Sequence, residues 1–292
     1  MGCWPVCSRH WRKGADGMQE KMKQALQAVR QNAPLVQCIT NFVTVNDCAN
    51  IILAAGGSPT MAMDAREVEE AVRDVSALVC NMGAIESVEA MILAGKEANR
   101  LGVPVILDPV AAGGTQLRRD ASAELLENVQ FSVIRGNASE IRYLAGQQTT
   151  GSGVDVSAVD AVTEENLSVV VEMVKKLSQE TGSVIAISGV LDVVSDGEKT
   201  VVLRNGCATM SRITGSGCML TSLIGAFCGA MREDLFAATC TAMAVMGIAG
   251  EKAEQKRLQK GTGNVTFRAD LIDSIFSMTE RELEEMVRIE LF

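Results

Sequence analysis

The chain has 292 residues, 47% of them apolar and 22% charged, and a net charge of −9. This is the balance of a globular protein with a sizeable core. Aromatics at 3% and the lack of any Lys/Arg cluster exclude a nucleic-acid surface, which needs a basic stripe and stacking rings.

Residues 1–17 form a basic leader without apolar periodicity, holding both tryptophans, Trp4 and Trp11, and the single histidine, His10. Cys3, Cys7 and His10 are only three ligands in a tail, a weak metal site. The leader is read as disordered and set outside the fold, leaving residues 18–292 as one domain. That body contains no histidine, which excludes Ser-His and Cys-His mechanisms and histidine-bound zinc.

From 18 onward, short β-branched runs alternate with helical patterns, as in a parallel sheet with crossover helices. Strands are predicted over 35–40, 58–63, 77–82, 103–108, 131–135 and 183–188, and helices over 46–55, 65–73, 87–101, 122–128, 139–145 and 164–179. Asp64 and Thr163 read as N-caps. Residues 147–162, rich in Gly, Ser and Thr, read as a surface loop or flap. The segments 192–194 and 200–203 flank the turn Ser195-Asp196-Gly197, which predicts a hairpin and hence an antiparallel edge. Two apolar helices follow over 216–230 and 235–255, and Thr279 with Glu282 gives a capping box for a closing helix. The uncharged stretch 235–250 is too short for a membrane span and reads as a buried or subunit-interface helix. Of nine cysteines, Cys38, Cys48, Cys80, Cys228 and Cys240 lie in apolar segments; with an odd count and no clear secretory signal, a reducing cytoplasm is expected.

In an open parallel sheet the strand ends share one rim, and ligands bind there. Here those ends read Thr40-Asn41, Met61, Asn81-Met82-Gly83, Asp108-Pro109, Arg135-Gly136-Asn137 and Ser188-Gly189. Polar loops at strand ends account for part of this pattern, but not for an arginine, an aspartate and an Asn-x-x-Glu set together. Thr214-Gly215-Ser216-Gly217-Cys218 opens a helix, where backbone N–H groups can receive an anion and stabilise a transferring phosphoryl group. It is neither a Walker A loop nor a Rossmann fingerprint, and taken alone it is equally a glycine loop before a core helix. Cys218 falls in the first turn, where a helix N-terminus lowers a thiol pKa, so it is expected as a general base; the alternative is an inert buried cysteine. Asp108 and Glu140 can serve Mg²⁺, which takes one or two carboxylates, although Asn137-x-x-Glu140 is also an ordinary helix start. Arg135, closing an apolar strand, wants a fixed anionic partner such as phosphate.

Together the segments PLVQCITNFVTVNDCAN (34–50), AGGSPTMA (55–62), GVPVILDPV (102–110), IRGNASE (134–140), VIAISG (184–189) and TGSGCML (214–220) resemble the hydroxyethylthiazole kinases of the ribokinase-like superfamily. In most of that superfamily the glycine turn ends in aspartate, whereas the thiazole kinases carry cysteine, as here at Cys218. The resemblance implies a central, mostly parallel sheet flanked by helices on both faces, with a small antiparallel edge. It implies transfer of the ATP γ-phosphate to the hydroxyl of 4-methyl-5-(2-hydroxyethyl)thiazole, with Mg²⁺, in a cytoplasmic homotrimer. By matching motifs, Arg135 and Ser188 would contact ATP, Met61, Gly215, Asn41 and Val43 would line the thiazole site, and Asp108 and Glu140 would organise Mg²⁺. The rivals are a ribokinase-like kinase for hydroxymethylpyrimidine or a sugar, a nicotinamide-hydrate dehydratase, and a non-catalytic nucleotide binder. The cysteine in place of aspartate and the few polar groups over 58–61 argue against the first two, and the intact set of site residues against the third.

Overall fold

The computed structural model describes residues 16–146 and 161–292. The leader therefore lies outside the described residues as far as 15, and most of the 147–162 loop does too. At their edges the expectations are corrected: helix α1 (Asp16–Asn32) begins inside the assigned leader, and Val162 is buried core rather than surface loop. Met18, Met22, Ala25, Leu26 and Val29 recur at helical spacing and bury one stripe of α1.

The chain continues as β1 (Leu35–Ile39), α2 (Val45–Ala55), β2 (Ser58–Thr60), α3 (Val68–Ala71), β3 (Ala77–Asn81), α4 (Val88–Leu101), β4 (Val105–Asp108) and α5 (Gln116–Asn128). Next come β5 (Val133–Asn137), α6 (Ala138–Leu144), α7 (Leu167–Thr181), β6 (Val184–Ser188), β7 (Asp192–Ser195) and β8 (Thr200–Leu203). The order closes with α8 (Ser216–Ala230), α9 (Leu235–Lys260), α10 (Asn264–Phe276), α11 (Glu280–Met286) and β9 (Ile289–Leu291).

These strands form one sheet in the order β2-β1-β3-β4-β5-β6-β7-β8-β9. The first six in sequence pair in parallel, and β7, β8 and β9 add antiparallel at one edge, so the predicted edge gains a third strand from the C-terminus. Alternate strand residues feed two cores. Val133, Val184 and Ala186 face α1, α2, α8 and α9, while Ile134, Ile185 and Ile187 face α4, α5 and α7. Helices thus cover both faces, as expected.

Two predicted caps are corrected. The Asp64 carboxylate receives Arg66 N–H at 2.9 Å and the Arg66 guanidinium, which closes a turn, and α3 begins only at Val68 before a 3-10 turn over Val72–Asp74. Asn166, not Thr163, opens α7, because its Oδ1 accepts Thr163 N–H at 2.9 Å and Nδ2 donates to the Ala161 carbonyl at 2.9 Å. Those bonds spend residues 163–165 in a turn.

Chain direction reverses at β1: one connection runs to β2, and the next crosses back to β3. Ligands in such sheets sit outside the strand ends at this switch point. Asn41 follows β1 there, and Asn81 ends β3. The Arg118 guanidinium fastens the neighbouring loops by donating to the Met82 and Val110 carbonyls, at 2.8 Å each.

Candidate active site

Helix α8 carries the phosphate-turn sequence and runs through the core, buried continuously from Met219 to Cys228. A helix this apolar on every side has to be interior. Its Gly225 lies so close to β3 that an added Cβ would meet Val79 Cγ2 at 2.6 Å. At the rim end, Gly215 takes φ +78°, a left-handed backbone that glycine adopts without strain. No side chain caps α8 and no acid sits in its first turn, so its leading N–H groups remain available to an anion. The turn is gripped on two sides. A Cβ at 215 would meet Thr44 Cγ2 at 2.4 Å, and one at 217 would meet Arg135 Nη1 at 2.7 Å. Arg135 therefore packs its guanidinium directly against the glycine turn.

Parallel register brings the chemistry of the rim together. Asn81 pairs with Asp108 at the ends of β3 and β4, and Asn137 with Ser188 at the ends of β5 and β6. Buried Asp108 accepts two hydrogen bonds on Oδ2, from Asn81 Nδ2 at 2.9 Å and Thr221 Oγ1 at 2.9 Å, and forms an ion pair with Arg135, whose Nη1 lies 3.6 Å away. Arg135 Nη2 donates to Ser188 Oγ, and its buried Nε has no partner among the described residues. Glu140 closes a capping box on Asn137, with Oε2 accepting Asn137 N–H at 2.7 Å and Oε1 accepting Ala111 N–H at 2.9 Å. The helix-start reading of Asn137-x-x-Glu140 is thus correct as local structure, yet it also places the carboxylate beside Asp108 and Arg135.

The electrostatics leave the site short of positive charge. Burial, partly offset by Arg135, Thr221 and Asn81, raises the Asp108 carboxyl above its ordinary range. Burial and then the Asp108 charge push Glu140 up to about 7, against the Ala111 and Asn137 N–H groups and Arg135. Asp192, buried at the start of β7, is likewise pushed up to about 7 by burial, against Gly189 N–H at 2.8 Å and Arg135. A divalent cation between two such carboxylates would relieve their desolvation and mutual repulsion. Among the described residues no three His, Cys, Asp or Glu side chains converge on a metal site. Asp108 and Glu140 are thus two carboxylates, a donor set that a hard divalent cation could use if water and phosphate oxygens completed its shell.

Cys218 meets Asn41, whose Nδ2 lies 3.5 Å from the thiol sulfur. The lowered thiol pKa expected from the helix start is overturned. Burial first, and then the Asp108 charge, push Cys218 up to about 11, and hydrogen bonds from Thr44 and Asn81 offset only part of this. The local field of one helix terminus loses to desolvation because neighbouring side chains crowd the thiol, although Cys218 itself is only half-buried.

Asn41, Gly215, Cys218, Asp108, Glu140, Arg135 and Ser188 form one connected cluster. Met61 and Val43 stand apart from it. Met61 follows β2 half-buried against the core, and Val43 is 56% exposed beside Phe42 at 84%. Sequence reasoning gave no role to Thr44, Asn81, Asp192 or Thr221. Asn81 carried a signal, since it was already a polar strand end; Thr221 stands one helical turn after Cys218, and Thr44 carried none.

With this geometry in place, likeness to known proteins is informative. The model of the hydroxyethylthiazole kinase family matches residues 26–281. A hydroxyethylthiazole kinase of Clostridium beijerinckii is 45% identical over 271 residues, covering 92% of this chain and 96% of that protein. One of Thermoanaerobacter pseudethanolicus is 46% identical over 271 residues, covering 92% and 98%. Among solved structures, the hydroxyethylthiazole kinase protein of Pyrococcus horikoshii superposes with TM-score 0.81 at 33% identity, covering 94% of this chain and 99% of that one. The pyridoxal kinase of Bacillus subtilis, solved as an ADP complex, superposes with TM-score 0.57 at 16% identity, covering 75% and 91%, a likeness of fold alone.

Proposed function

The chain belongs to the hydroxyethylthiazole kinase family, and on that premise we propose how its site carries out the reaction. The protein is a phosphotransferase with the ribokinase-like fold. It moves the γ-phosphoryl group of ATP to the hydroxyl of 4-methyl-5-(2-hydroxyethyl)thiazole. The observation that carries this reading is the Arg135 guanidinium packed against Gly217, at the uncapped start of α8. Phosphoryl transfer spreads charge over three equatorial oxygens, and catalysis consists chiefly of positioning and stabilising that charge.

In this reading Arg135 and Ser188 contact the ATP phosphates, while the N–H groups after Gly215 receive the moving phosphoryl group. Asp108 and Glu140 would hold Mg²⁺, which when bound with ATP neutralises the phosphate oxygens. Asn41 and Gly215 would face the acceptor from within the cluster, and Met61 and Val43, which stand apart from it, would line the acceptor side from outside. The acceptor oxygen forms the new P–O bond as the bond to the ADP oxygen breaks, and its proton passes to Cys218 in the small fraction of molecules where that sulfur is a thiolate, which leaves a thiol. Because burial keeps the thiolate fraction small near neutral pH, proton removal contributes less than the turn and Arg135. No helix among the described residues is long and apolar enough to cross a membrane. The reading includes a cytoplasmic homotrimer, each subunit one domain whose first helix starts at Asp16.

The test is ADP release with Mg²⁺, followed by a coupled assay across hydroxyethylthiazole, hydroxymethylpyrimidine and ribose. Release that depends on the thiazole is expected. Turnover of another alcohol without the thiazole would leave only the fold-level statement standing.

A further inference from the structure

Between the ends of β1 and β3, at the point where the sheet reverses direction, two amide side chains meet. Asn81 is 1% exposed, and its Oδ1 accepts Gly83 N–H at 2.8 Å and Asn41 Nδ2 at 3.3 Å. A backbone N–H can only donate, so this bond fixes which way the Asn81 amide faces. Its Nδ2 must then point at the Asp108 carboxylate, which it reaches at 2.9 Å. The Asn41 amide is fixed in turn by Asn81, because the oxygen Asn81 Oδ1 can only accept and so faces Asn41 Nδ2, which also reaches the Cys218 sulfur. Asn41 Oδ1 is then left to accept from Thr44 Oγ1 at 3.1 Å. The two amide nitrogens thus serve the site directly, Asn81 Nδ2 facing Asp108 and Asn41 Nδ2 facing Cys218.

A separate observation shows how tightly the junction is closed. A Cβ at Gly83 would fall 2.6 Å from Asn81 Oδ1 and 2.7 Å from Asn41 Nδ2. Only glycine lets the backbone approach both amides at once.

We propose that Asn81 is a positioning residue for phosphoryl transfer, holding the Asn41 amide against Cys218 and the Asp108 carboxylate in one fixed arrangement. The inference rests on the kinase reading of the same site. Asn81 touches neither reacting atom in this role. It joins Asn41, which follows β1 and meets the acceptor-side sulfur on α8, to the phosphate-side carboxylate at the end of β4, adding to the Thr221 bond that already ties α8 to that carboxylate. Fully satisfied buried polar networks of this kind rigidify what they join.

Asn81→Leu keeps the branched shape and the number of side-chain heavy atoms and removes the amide. We expect kcat to fall about 10- to 100-fold while KM for ATP and for thiazole stays within about threefold, because the arrangement matters most in the transition state. Gly83→Ala reaches the same junction through a different atom and should give the same split, which covers the case of a leucine variant that fails to fold. In a Cys218→Ala background the Asn81→Leu effect should shrink at least threefold, whereas a residue that only caps the strand would act additively. A readout without turnover completes the test, namely iodoacetamide labelling of the unliganded protein followed by peptide mass spectrometry. Cys218 should label about three- to tenfold more slowly in Asn81→Leu, as it loses a fixed N–H donor to the thiolate, while half-buried Cys207 keeps its rate. Faster or unchanged Cys218 labelling, unchanged kcat in a folded variant, or strict additivity would overturn the inference. If the wild type fails to turn over thiazole, the kinase reading falls, while labelling still decides whether Asn81 governs Cys218.

Discussion

Alanine at Gly217 tests whether the phosphate turn and Arg135 act as a unit. Gly217 does not use the left-handed backbone, so alanine meets no φ strain there, and it favours the helix by up to about 1 kcal/mol. Its Cβ, however, would lie 2.7 Å from Arg135 Nη1, 3.2 Å from Nη2 and 3.4 Å from Cζ. Restoring an ordinary 3.4 Å contact moves Nη1 by 3.4 − 2.7, about 0.7 Å. The guanidinium is planar and rigid, so its bond to Ser188 and its 3.6 Å approach to Asp108 shift together. A charge-assisted hydrogen bond is worth about 1.5–3 kcal/mol, and about 1.4 kcal/mol is tenfold in rate. We therefore expect kcat/KM for ATP to drop roughly 10- to 100-fold, with the melting temperature within about 5 °C of wild type. The coupled ADP assay at varied ATP, paired with thermal melts, measures both. Wild-type kcat/KM in a normally folded Gly217→Ala protein would refute the idea that Arg135 and the turn share one phosphate.

Cys218→Ala should lower kcat much more than it weakens ATP binding. In the wild type, log kcat/KM should climb with pH from neutrality toward about 11, and alanine should flatten that climb. A pH profile identical in both proteins would reduce the cysteine to a packing residue. Asp192 makes a separate prediction about stability. Its folded carboxyl is held up to about 7, so between its unfolded range near pH 4 and pH 7 only the folded form keeps the proton, and stability falls as pH rises through that window. Asp192→Asn can keep the acceptor for Gly189 N–H but removes the charge. Urea melts at pH 5 and pH 8 should show the wild type losing more stability than the variant, on the order of a few kcal/mol, and equal slopes would contradict the burial argument.

Much of this was legible in the sequence. The apolar runs ending in Asn81, Asp108, Arg135 and Ser188 gave the parallel strands and the rim, because a strand buried on both faces leaves no polar residue except at its ends. Three features were not legible. Strand β9 is only Ile-Glu-Leu, too short for any run to announce it. Helix α10 starts after Gly263 with no capping side chain, so nothing marked its start. Helix α5 begins six residues before its expected start, at 116 rather than 122, with Thr115 accepting Arg118 N–H as its cap; its first turns are polar because Arg118 and Arg119 reach back to carbonyls at the rim. At the site, residue types were readable but protonation was not. Cys218 looked activated from its place in the helix, and its tertiary burial, followed by the Asp108 charge, reverses that.

Helix α8 has a consequence for how this protein can breathe. The element that presents the anion cradle is also enclosed by the core, wedged between β1, β3 and the helices of one face. Segments of that kind open only when the whole domain does, whereas connecting loops open at far lower cost. Substrate entry and product exit must therefore be carried by the loops after the strand ends, moving over a floor that stays still.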